Sequence, residues 1–310
     1  MSTQSNAMSE PSLRSRGISA ATIPAARLIY WSIRRELCEN RAIYIAPVAV
    51  ACVFLFGFSI SAVVILAGLH AAVWLDPAQN LETLHQPYEY AEIAIMATAL
   101  IVGLFYSVDA LYGERRDRSI LFWKSLPVSD LSTVLAKASI PIVILPLLTV
   151  AITVITEWMM LVISSATLLI RGQAVWTFWS RLPILSMWFG LLFHFLCVHG
   201  LWQAPIYGWL LMVSAWARRA PILWAVLPPM AIGFAEKAAF NTTHFGELIG
   251  NRFSGGPEGS AIMEHHMAMA SGPMLSSAHF FISGGLWIGF AVTAAFLIVA
   301  VRLRRYRGPN

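Results

Sequence analysis

Six stretches of the chain are apolar for long enough to cross a lipid bilayer, and polar segments separate them. They run from Ile43 to Gly68, Ile93 to Leu111, about Ala138 to Ile163, Leu182 to Val213, Pro221 to Phe240 and Phe280 to Val301. A spanning helix needs about 20 mostly apolar residues, because hydrocarbon offers the backbone no partner and a helix satisfies its own polar groups. The fourth run exceeds that length, and Pro205 predicts a kink within it. The fifth is the weakest, since it holds Pro228, Pro229, Glu236 and Lys237. Ahead of the first run, Ala25, Leu28, Ile29, Ile33 and Leu37 recur on one helical face and Arg27, Arg34 and Arg41 on the other. That pattern predicts an interfacial helix, with Tyr30 and Trp31 at the headgroup boundary and Glu36 as a misfit on the apolar face. The expected fold is an all-α integral membrane protein. Residues 1–22 form a flexible tail without the apolar core of a signal peptide, 23–41 an N-terminal amphipathic elbow helix, and 42–307 a six-helix transmembrane domain.

Composition strengthens this reading. The 310 residues are 58% hydrophobic and only 12% charged, with a mean hydropathy of +0.67. A soluble domain carries about 25% charged residues to cover its surface, so most of this chain faces lipid or other apolar helices. The net charge of +5 invites a nucleic-acid partner, but the basic residues sit in short clusters beside apolar runs, where membrane topology places them. No nucleic acid is expected. Seventeen of the 21 lysines and arginines fall before the first run or after the second, fourth and sixth. The segment from Leu69 to Glu92 has four acidic residues and no basic one. The positive-inside bias therefore predicts both termini in the cytoplasm of a bacterial inner membrane. Cys38, Cys52 and Cys197 show no paired spacing, so neither a disulfide framework nor a zinc site follows.

The segment between the second and third runs, YGERRDRSILFWKSLPVSDLSTVLAKASIP, changes character three times. A charged helix end with Glu114, Arg115 and Arg116 gives way to a compact apolar knot, Ile120, Leu121, Phe122 and Trp123. The turn Leu126, Pro127, Val128 and Ser129 then resets the backbone, with Ser129 or Asp130 capping a helix that starts near Leu131 and carries Lys137. An apolar knot in an aqueous loop marks an interaction site. In its elbow, six spans and this loop, the chain resembles the permease subunit of type 2 ABC transporters. The sequence-level likeness is confined to about residues 111–140, where Glu114, the LPVS turn and Lys137 match the family pattern. The RRDRSI after Glu114 departs from it, where members often carry a glycine and a second acidic residue.

The resemblance implies a transport subunit, in the form of an exporter, coupled through the loop at 112–137 to a separate ATPase that brings ATP and magnesium. It also implies a second copy or related permease as dimer partner. No cofactor is expected on this chain, which has no G-x-x-x-x-G-K-[ST] to cradle phosphates. Glu157 lies well inside the third run, and with His194 and His199 of the fourth it is a candidate for the substrate pathway, since an intramembrane carboxylate is costly to desolvate. Met263, His265, His266, Met267, Met269, Met274 and His279 mix thioether and imidazole but lack a ligand spacing, so no metal is assigned. Gly285 and Gly289 permit close helix contact. Two other readings remain open: an intramembrane enzyme built on Glu157, His194 and His199, and an anchor that only assembles other proteins.

Overall fold

The computed structural model describes residues 25–66, 81–119, 129–172, 175–179, 184–255 and 280–306. The N-terminal tail, the stretch 120–128 and the Met/His segment at 263–279 lie outside them. The described residues form helices and no strands. In chain order these are α1 (Ala25–Glu39), α2 (Ala42–Leu66), α3 (Leu81–Asp109), α4 (Tyr112–Arg116), α5 (Asp130–Ile170) and α6 (Val175–Trp179). They continue with α7 (184–202), α8 (Ala204–Trp216), α9 (Pro221–Phe240), α10 (His244–Ser254) and α11 (Gly284–Tyr306). Among the described residues five helices are long and apolar enough to span a membrane, or six when the bent pair α7–α8 is counted as one span. The protein is a multi-pass, all-helical membrane protein.

Proline shapes three of these elements. The bend between α7 and α8 is 44°, and Pro205 sits in the first turn of α8, where its missing N–H costs no helix bond. In α5 the backbone widens into a π-helical turn over Ile140–Ile144, and Leu145 donates its N–H to Ile140 O. Pro141 lies within that turn and Pro146 just beyond it, and neither offers a donor. In α9, Pro229 cannot bond the carbonyl of Ala225, and the indole of Trp209 on α8 donates to that oxygen at 3.0 Å. The sequence expectation that α9 is the weakest span has its physical answer here and at Glu236. That carboxylate does not lie unsatisfied in hydrocarbon. It accepts the backbone N–H groups of His244 and Phe245, both at 2.9 Å, and so caps the start of α10.

Helix α10 folds back onto the α7–α8 bend. Trp202 donates its indole N–H to Asn251 O at 2.9 Å, and Gln203 donates to Phe253 O at 3.0 Å. Arg252 stacks over the Trp202 ring, 4.4 Å from its centroid, and donates to Gly285 O at 2.6 Å. Gly285 and Gly289 are therefore occupied within the chain: a Cβ on Gly289 would stand 2.8 Å from the Arg252 guanidinium, and one on Gly285 3.1 Å from the Trp202 ring. Elsewhere the bundle closes through small residues. Gly200 on α7 meets the backbone of α5 so closely that a Cβ would lie 2.3 Å from Ile142 O, the oxygen that Pro146 leaves without a helical donor.

Candidate functional site

At one end of the bundle, five charged side chains from four helices meet in a single network. Lys137 on α5 lies 2.7 Å from Glu36 on α1 and 3.3 Å from Glu114 on α4. The other oxygen of Glu114 is bound by Arg304 of α11, which also reaches Asp130 at the start of α5 at 3.0 Å. The hydroxyl of Tyr106 on α3 donates to Glu36 at 2.9 Å. Glu36, Glu114, Lys137 and Arg304 are 3 to 7% exposed, so this is an interior network. Three carboxylates face two cations; the phenol of Tyr106 supports Glu36, and Asp130 is partly exposed. Removing one member of a buried pair strands its partner and costs about 3–5 kcal/mol, so the geometry is strongly specified.

Local structure explains how the residues arrive there. Ser129 is the cap of α5, accepting the N–H of Ser132 at 3.1 Å, which leaves the Asp130 carboxylate for Arg304. Next to Glu114, the buried Arg115 donates to Ser214 O and Ala217 O at 2.7 and 2.6 Å. These carbonyls end α8, where the helix dipole favours a cation. Ser214 returns the contact by accepting the N–H groups of Leu111 and Tyr112. Both ends of the 112–137 loop are thus fastened to the bundle.

The positions expected to meet a partner divide accordingly. Glu114, Arg115 and Lys137 are buried inside the protein, and their side chains tie the loop's ends to the bundle. Arg116 is exposed and pairs with Asp117 at 3.0 Å, and Ser129 is exposed. Ile120, Leu121, Phe122, Trp123, Leu126, Pro127 and Val128 lie outside the described residues. Compared with protein families, with curated proteins and with solved structures, the chain matches none.

A second polar region lies about 30 Å along α5 from Lys137, at ~1.5 Å per residue. Glu157 is 1% exposed and accepts the indole N–H of Trp188 on α7 at 2.9 Å. Glu92 on α3 stands within electrostatic reach of it, as does Tyr88, whose hydroxyl is 3.3 Å from Ser164. Thr149, Thr153, Glu157 and Ser164 share the buried face of α5, giving the bundle a polar seam among apolar walls. Helices α5 and α7 run side by side between the Ile142–Gly200 and Glu157–Trp188 contacts, which puts His194 midway along that seam. The His194 and His199 rings stack edge to face at 5.3 Å. Glu157 and His194 therefore line one helix pair, at different heights.

Proposed function

We propose that this chain is the transmembrane permease subunit of an ATP-driven transporter, with the loop at 112–137 as the element that receives force from a separate ATPase. The observation that carries this reading is the buried charge network. It clamps the start of the loop through Glu114 and its end through Asp130 and Lys137, and ties both to the first and last helices through Glu36 and Arg304. The two described ends of the loop are thereby fixed to four helices. Such anchoring suits a docking element, whereas a plain re-entry turn needs no buried anchors. The charge bias puts this end of the bundle in the cytoplasm, where an ATPase is found, and the chain carries no phosphate-binding loop of its own. A second permease copy completes the pathway in this reading.

The test is recovery of the ATPase. Phe122→Ala with Trp123→Ala removes the two largest apolar side chains of the loop, and truncating a buried aromatic anchor commonly costs about 2 kcal/mol or more, roughly thirtyfold in affinity. The double variant should insert and fold like wild type yet lose its partner in affinity purification at matched expression. Equal recovery of an ATPase by both proteins defeats the proposal.

A further inference from the structure

The two faces of α1 meet their charges differently. Toward the bundle, Ile33 and Leu37 pack against Ile43, Tyr106 and Ile140, and Glu36 pairs with Lys137. Part of the apolar side expected to lie in lipid is therefore covered by protein. The opposite face is open. Arg27, Tyr30, Trp31, Arg34 and Cys38 are exposed on it, Tyr30 by 60% and Trp31 by 50%. The Arg34 guanidinium lies over the Trp31 ring, 5.1 Å from its centroid, and the Tyr30 and Trp31 rings meet edge to face at 5.7 Å. Arg41, also exposed, follows in the turn that leads into α2.

Both carboxylates of α1 are already paired, Glu36 with Lys137 and Glu39 with Arg35 at 2.6 Å. Arg27, Arg34 and Arg41 make no ion pair among the described residues. Three positive charges are thus left over. Arg27 and Arg34 stand seven residues apart, almost in line along the helix and about 10 Å from each other at ~1.5 Å per residue. One turn beyond Arg41 the exposed side chains are Ile45 and Val48, the first open apolar residues of the α2 span. The row of arginines therefore ends where hydrocarbon begins, a level that exposed tryptophan and tyrosine also favour. The anions found at that level are lipid phosphates, and a guanidinium fork matches a phosphate with two parallel hydrogen bonds.

We infer that the outer face of α1, through Arg27, Arg34 and Arg41, binds the headgroups of anionic phospholipids. The guanidinium groups donate to phosphate oxygens, and Tyr30 and Trp31 rest in the layer beneath. A zwitterionic lipid brings a cation with each phosphate, so three unpaired arginines favour a lipid of net negative charge. Because Glu36 holds the other side of the same helix, α1 is fastened to the charge network within and to the membrane surface without. This inference does not depend on the permease reading.

Cys38 is exposed on the same face and carries the probe, while Cys197 is buried. The full chain with Cys52→Ala is labelled at Cys38 with bimane and placed, without any ATPase, in phosphatidylcholine vesicles. These contain equal fractions of either phosphatidylglycerol or phosphatidylcholine spin-labelled near the headgroup. Both lipids should quench the probe, the anionic one roughly threefold or more strongly at low salt, and the preference should shrink at high salt. Arg27→Gln, Arg34→Gln and Arg41→Gln together should bring the two lipids to parity. Arg34→Gln alone should lower the preference while quenching by phosphatidylcholine stays as in the unsubstituted chain, which shows that α1 is still in place. Arg218→Gln, Arg219→Gln and Arg305→Gln together remove the same charge from other exposed positions and should keep the preference. The inference is overturned by equal quenching from the two lipids at low salt, or by no quenching from either, which would put α1 clear of the membrane. Equal loss of preference in the two triple variants also overturns it, since total charge would then decide in place of this face.

Discussion

The charged ends of α5 make a useful contrast. Around Lys137, the carboxylates of Glu36, Glu114 and Asp130 each have a cation within ion-pair distance, and with Tyr106 the network draws five helices together. Around Glu157, the indole N–H of Trp188 is the hydrogen bond the carboxylate receives, and no described lysine or arginine pairs with it. Both regions are buried and both sit on one helix. The first is spent on holding the fold. The second leaves Glu157 Oε1 and Thr153 Oγ1 without a hydrogen-bond partner and without a described cation nearby. Burial of charge alone does not separate structure from function; the state of its partners does.

The largest effect should come from breaking the saturated end. Lys137→Met leaves Glu36 and Glu114 buried without their shared cation, and the loss should be about 3–5 kcal/mol. It should appear as a lower unfolding midpoint of the purified protein in detergent. Adding Glu36→Leu should recover part of the loss, because the two side chains are coupled directly. Strictly additive losses would mean that the network does not act as one unit.

A smaller effect is expected midway along the seam. Gly200→Ala puts a Cβ on the carbonyl of Ile142, where only backbone could give way. Overpacking of this kind costs about 1–3 kcal/mol. Gly57→Ala, with nothing within 4 Å, is the matched control and should leave the midpoint unchanged or slightly raised. Similar midpoints for the two variants would show that α5 and α7 are not held at this contact.

The smallest effect, and the sharpest test of the contrast, is Glu157→Gln. The amide keeps an acceptor for Trp188 and removes a carboxylate that no described lysine or arginine pairs with. The unfolding midpoint should stay the same or rise, within about 1 kcal/mol of wild type. A fall comparable to that of Lys137→Met would make the two ends equivalent.

The spans were legible because 20-residue apolar runs have few other uses, and the proline-linked bend and the Ser129 cap were legible because both are local. The third helix nonetheless extends from Asp130 to Ile170, beyond its apolar run, since polar residues at its ends are helical too. Helix α10 was hidden inside what read as an outer loop, because its sequence HFGELIGNRFS has too little apolar surface to stand out. The charge network was not legible as a whole. Its pairs are separated by 101, 190 and 174 positions, and no local rule connects such distances. Arg304 was hidden among Arg302, Arg305 and Arg307, all equally explained by membrane topology. Glu36 did leave a trace: a carboxylate on the apolar face of α1 is wrong for lipid, and its partner proved to be Lys137.

The same network orders events during synthesis. Glu36, Glu114, Asp130 and Lys137 all leave the ribosome long before Arg304, so the emerging chain holds three carboxylates and one lysine. Only when the final helix arrives does the last positive charge reach Glu114 and Asp130. A chain cut short before α11 therefore carries an unbalanced pair of negative charges in its interior. The last turn of α11 thus acts as a clasp on helices made well before it.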